Sequence, residues 1–333
     1  PEPAKASPIV SAIRAQRAAV GGSVVRVPDA GVFVLTDPRG GLTGLSADGQ
    51  VLWSLETANR GADAMSAVPY KGVAYFSGSN EFLAVDARSG EVLFRRALDG
   101  ERSHVLGNRT APFADFIAFP TMVGVELVDP RTGELKRTLP IPGGTTMSPA
   151  NYGGLVAIVN QRGVFMLIDP ETGELRGQIQ TGAQQPVALA PRILGDRACF
   201  ADRKGLLVMV DLSSMSVAWE RPLPAGVFND LEFSEDAVVA LSRGAAYVFS
   251  PDGAELLKPI QNVTAPPLLS RGVLYYGTAD RSFVATRLSD GEELGRLGLD
   301  ARLSARPLAA EGFIYLGLAD GSFVKLDASR LAE

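Results

Sequence analysis

A short β-rich run returns eight times along this chain at nearly constant spacing. It appears as "VFVL" at Val32, "VAYF" at Val73, "FIAF" at Phe116 and "LVAI" at Leu155. It comes back as "RACF" at Arg197, "AVVA" at Ala237, "VLYY" at Val273 and "FIYL" at Phe313. Successive starts lie 41, 43, 39, 42, 40, 36 and 40 residues apart, the differences between those residue numbers. A unit this small cannot bury its apolar faces alone, so repeats of this kind stack on one another. A period near 40 is that of a four-stranded propeller blade.

Each copy has the same internal order. In the second, "AVPYKGVAYFSG" is followed by "FLAVD", the Gly turn "ARSG" and "EVLFRRAL". These are strand-length runs rich in Val, Phe, Tyr and Leu, punctuated by Gly, Pro, Asp and Ser. Breakers fall too often for long helices, and no helical period lasts through a repeat. The expected fold is all-β, an eight-bladed β-propeller of four-stranded antiparallel blades.

The phrase "VFMLIDPETGELRGQI" from Val164 to Ile179 is then a hairpin. Asp169 accepts hydrogen bonds from the backbone just after it, Pro170 presets φ, and Gly173 supplies the positive φ that closes the turn. "DARSGE" at Asp86 and "DPRTGE" at Asp129 repeat this chemistry, and "SADG", "SPDG" and "LSDG" read as shorter versions. None has the further spaced oxygen ligands of a calcium loop.

The last copy runs out before its blade is complete, whereas "SPIVSAIRAQRAAVGG" precedes the first copy as spare sequence. "IVSAIRAQRA" alternates like the outer run "EVLFRRAL". It is expected to pair as the outermost strand of the last blade, closing the ring and removing an exposed edge. Residues 1–8 are then an N-terminal tether and 9–333 a single propeller domain. "PEPAKASP" lacks the basic-then-apolar order of a signal peptide. It reads either as a tether left after a targeting segment or as an ordinary frayed terminus.

The charge balance excludes some partners. Net charge is −5 and the sequence pI about 5.2, with no concentrated basic field to bind nucleic acid. Apolar runs reach only about five residues, too short to span a bilayer as a helix. The single cysteine, Cys199 in "RACFAD", makes neither an internal disulfide nor a Cys-rich zinc site, and reads as a small buried hydrophobe.

The copies "GVAYFSGSNEFLAVDARSGEVLF" and "GLTGLSADGQVLWSL" carry a pattern that resembles the pyrroloquinoline-quinone-like β-propeller repeat, over essentially residues 9–331. In that family a Trp after the Gly turn docks neighbouring blades. Trp53 and Trp219 keep it, Phe94 substitutes in one blade, and the remaining blades have weaker residues. The family includes quinoprotein dehydrogenases, which need a metal ion held by carboxylate and amide side chains, a catalytic Asp and a stacking Trp. Many also use a vicinal cysteine pair. This chain has no such pair, both Trp are taken by docking, and the even spacing leaves no room for long insertions. The resemblance is greater to the outer-membrane-assembly lipoprotein B (BamB) type. It implies a non-enzymatic periplasmic scaffold without a cofactor, tethered to the outer membrane by an N-terminal lipid. Its partner would be the periplasmic domains of the barrel-inserting subunit BamA. The lipidation cysteine is not among these residues. Another cell-envelope ligand- or protein-binding propeller is the first alternative, and a quinone-dependent dehydrogenase the second. Quinone with Ca²⁺ would raise the melting temperature of the latter and support dye-linked alcohol oxidation.

Little else points to chemistry. His104, the only histidine, lies in "ERSHVLGNRTAPF" with no recognisable orienting partner, which argues against a catalytic triad and a poly-His zinc site. The "PGG" and "GG" pairs are not followed by a phosphate loop. The stretches leading into each innermost strand are more promising, because in a propeller they ring one mouth of the central channel. They bring Asp63, Arg109, Thr146, Arg192, Asp230, Asn262 and Arg306 together as a candidate partner-binding surface, loops on a rigid scaffold being where binding concentrates. Taken singly, each also reads as a solvated turn residue.

Overall fold

The computed structural model describes residues 7–16, 19–21, 24–59, 66–78, 80–98, 110–121, 124–145, 147–184, 190–224 and 228–331. Across them run eight four-stranded sheets. Blade 4 shows the plan: Ala150–Tyr152, Leu155–Val159, Val164–Ile168 and Leu175–Gln180 pair antiparallel in chain order. First strands of neighbouring blades lie against one another and so line the centre of the ring. The two middle strands are the most buried, with both faces covered, as in Val73–Ser77 and Glu81–Asp86 of blade 2.

There is no single core. Apolar side chains gather in eight clusters, each shared by two consecutive blades and the last by blades 8 and 1. That arrangement follows from the repeat, in which each sheet hides its two faces against its two neighbours.

The ring closes as expected. Ile9–Arg14 pairs antiparallel with Ser322–Asp327, so blade 8 takes three strands from the C-terminal end and its outermost from the N-terminal end. Asp327 N–H donates to the Pro8 carbonyl at 2.9 Å and Val20 N–H to the Leu318 carbonyl at 3.0 Å. Val20 is fully buried between blades 8 and 1.

The Gly turns also form as read. Asp169 Oδ1 accepts from the Glu171 and Thr172 N–H groups at 2.9 and 3.0 Å. One detail is corrected: "LSDG" is no shorter version. The blade 7 turn is full length, with Arg287 in the Asp position, accepting from Gly291 N–H and donating its own N–H to the Glu292 carbonyl. Arg176 first, then the Thr172 N–H, holds the Asp169 carboxyl down at about 2. The Ser214 N–H, then the Ser213 hydroxyl, does the same at Asp211. Asp86 and Asp129 shift downward too, chiefly through the Ser89 and Thr132 N–H groups. Because the folded values are depressed, the stability they contribute is present above the unfolded value near 3.8 and is lost as pH falls through the folded values. Melting temperatures are therefore expected to hold down to about pH 4 and to fall between about pH 4 and about pH 2. Carboxyl NMR titration checks the cause, and an Asp169 midpoint near 3.8 would contradict it.

Blade docking differs from its expected weakness. Trp53 of blade 1 lies over Gly90 of blade 2, so close that a methyl group there would sit 2.5 Å from the indole. Its Nε1 donates to the Ala87 carbonyl at 2.9 Å. Phe94 covers Gly133 and Trp219 covers Gly253 in the same way. Two junctions are reversed. Gly177 of blade 4 and Gly295 of blade 7 occupy the strand position of Trp53, as their pairing with Leu167 and Ala285 shows against Gly44 with Trp53. Met215 of blade 5 and Leu331 of blade 8 occupy the turn position of Gly90. A methyl group on Gly177 would lie 2.6 Å from Met215 Cε, and one on Gly295 would collide with the Leu331 carbonyl. The bulky group has moved from strand to turn. Met215 accepts a φ of 51° to do so, and the turn of blade 8 becomes the short helix Ala328–Leu331.

Candidate functional site

Three of the predicted mouth residues meet inside the ring although the chain separates them widely. Arg192 starts the innermost strand of blade 5, Arg192–Leu194. Asp230 lies on that of blade 6, Phe228–Phe233, and Arg306 leads into that of blade 8, Leu308–Ala310. Asp230 is almost wholly buried, and its Oδ1 accepts from Arg306 Nη2 at 2.9 Å and Arg192 Nη2 at 3.3 Å. It also accepts from the Leu231 N–H at 2.7 Å. The Leu231 carbonyl takes Arg192 Nε at 2.8 Å. Arg306 Nη1 pairs with Glu232.

Among the described residues, two guanidinium groups thus face two carboxylates. Arg306 keeps 23% of its side-chain surface open, yet burial is the main influence on it. Burial lowers its proton affinity, Asp230 opposes that, and Arg192 adds to it. This is the environment of a narrow channel wall, where water reaches a group that protein still surrounds. A guanidinium does not give up its proton in a protein, so Arg192 and Arg306 are fixed positive charges in this network. It ties blades 5, 6 and 8 across the channel, and losing one partner would strand a buried charge.

Glu232 was missed in the sequence. Its signal was the spacing Asp230–Leu231–Glu232, since residues two apart on a strand share a face. Asn262 does not join the network. It is exposed at a positive φ of 62°, and its carbonyl accepts the Ala279 N–H at 3.0 Å. Asp63, Arg109 and Thr146 lie outside the described residues, as does His104. Cys199 is fully buried between blades 5 and 6, and burial pushes its thiol well above the usual range. Among the described residues no three Cys, His, Asp or Glu side chains converge to hold a metal ion. Among the same residues no helix is long and apolar enough to cross a membrane.

These features define an eight-bladed β-propeller with an ion-paired channel. The family described as outer membrane protein assembly factor BamB matches the sequence over residues 10–176 and, in an overlapping placement, 71–252. The chain belongs to that family. No curated protein matches it. Among solved structures, BamB from Moraxella catarrhalis superposes with a TM-score of 0.73 at 17% identity, over 95% of this chain and 96% of that one. The computationally designed Ika8 protein superposes with a TM-score of 0.76 at 15% identity, over 96% and 99%. At these identities the likeness is one of fold.

Proposed function

We propose that this chain is a non-enzymatic protein-binding scaffold of the periplasm that assists assembly of outer-membrane β-barrel proteins. Family membership is the observation that carries the reading. In this view an N-terminal lipid holds it at the outer membrane, and its partner is the periplasmic part of a BamA-type barrel subunit. The docking surface is the channel mouth around Asp63, Arg109, Thr146, Arg192, Asp230, Asn262 and Arg306.

Electrostatics support the choice of face. Strand alternation puts the hairpins between second and third strands on the mouth side, where Arg39, Arg162, Arg203, Lys204, Arg243 and Arg281 outnumber Asp37, Asp202, Asp280 and Asp320. The Gly turns lie on the opposite side and bring Glu91, Glu134, Glu174 and Glu292. A mouth richer in cations steers acidic partners to that face.

Calorimetry against the periplasmic repeat domains of BamA from the same organism tests the proposal. Saturable binding is expected, weakened at least about tenfold by charge reversal at Arg109 or Arg192. Melting curves of each variant separate lost contact from lost fold, because Arg192 also supports Asp230. Absence of binding at high micromolar concentration would reject the BamA assignment.

A further inference from the structure

Away from the mouth, the outer rim between blades 5 and 6 holds a cavity of about 310 Å³. Its floor is Tyr247 and Phe249, whose rings continue the cluster around Trp219. Leu223, Pro224 and Pro259 line its walls. The outer strand of blade 6, Glu255–Ile260, has a register break between Ala246 and Val248 besides the bulge that most outer strands share, and it contains Pro259, which has no N–H to donate.

The charges at its lip are unequal. Arg221 is committed, its Nε donating to the Gly253 carbonyl at 2.9 Å and its Nη1 to the Glu220 carbonyl at 3.1 Å. Glu255 is exposed, and its carboxylate makes no hydrogen bond or ion pair among the described residues. Beside the slot runs Ser216–Pro222, seven residues long and last in its sheet, so no strand covers its outer edge.

We propose that this rim slot binds an extended peptide. The peptide adds as a further strand to the edge of Ser216–Pro222 and drops an aromatic side chain onto Tyr247 and Phe249. A Lys or Arg two positions away points from the same face towards Glu255. The cavity is at the small end of ligand pockets, with room for one or two side chains. Backbone pairing supplies affinity in such a mode, and the pocket supplies selectivity. The site is separate from the mouth and does not rest on the scaffold reading.

The probe is a fluorescein-labelled heptapeptide, Ser-Val-Phe-Thr-Lys-Val-Thr, titrated against the whole chain by anisotropy. Trp219 emission in a Trp53→Phe variant reports the same event locally. Saturable binding is expected. It should weaken about tenfold when the peptide Phe becomes Ala, when its Lys becomes Glu, or when the protein carries Glu255→Lys. The Lys→Glu peptide should regain affinity for Glu255→Lys. No saturation, or binding indifferent to both the Phe and the charge at 255, overturns the proposal. Glu255→Lys should leave calorimetric binding at the mouth unchanged, so the two readings fail separately.

Discussion

Deleting residues 9–20 lowers the melting temperature by about 10–20 °C. The truncation strips the outer strand from Ser322–Asp327 and leaves its edge unpaired. It also removes Val20, fully buried between blades 8 and 1, a loss of about 2 kcal/mol for one aliphatic side chain. Ile13 is lost from its place over Gly49 of blade 1. Strand hydrogen bonds add about 1 kcal/mol net each. A total of about 5 kcal/mol or more corresponds, at about 2–4 °C per kcal/mol for a large domain, to that shift. A synthetic peptide of residues 7–20 should restore stability in proportion to its concentration, because it binds only the folded ring. An unchanged melt would mean the N-terminal strand does not close the ring.

Gly177→Trp destabilises the protein by about 2–3 kcal/mol, and adding Met215→Gly recovers most of the loss. The single change drives an indole into the thioether of Met215, which already fills the junction. Met215→Gly alone empties the junction, although it relieves a residue held at φ 51°. The double variant rebuilds the arrangement of Trp53 over Gly90, with the Leu212 carbonyl placed as Ala87 is for the Trp53 Nε1. Denaturant unfolding of the four proteins forms a double-mutant cycle, with a favourable coupling of about 2 kcal/mol expected. Additive effects would show that strand and turn do not pack as a unit.

Much of the fold could be read from local chemistry. Asp169, Pro170 and Gly173 make a turn whatever surrounds them, and the alternation in "IVSAIR" marks a half-exposed outer strand wherever it pairs. The exchanged junctions were harder to see. Gly177 looks like a lost Trp until Met215, in the next blade, is placed against it. A search for one consensus residue per repeat reads each as a defect, and only the pair shows compensation. The mouth was legible as a region and not as a network. Arg192, Asp230 and Arg306 sit in lead-in stretches that any propeller would bring inward, yet their partners were not written there.

The sequence by itself determined the all-β class, the eight blades, the chemistry of the turns and the strand that closes the ring. Each depends on residues within one repeat, or on the simple rule that an incomplete blade takes its missing strand from the other end of the chain. The tertiary structure alone decided that Arg306 reaches past blade 7 to Asp230 and Glu232, and that the rim opens between blades 5 and 6. Those outcomes depend on the curvature of the ring, the reach of a guanidinium across the channel and an extra register break in one outer strand, none of which has a local pattern.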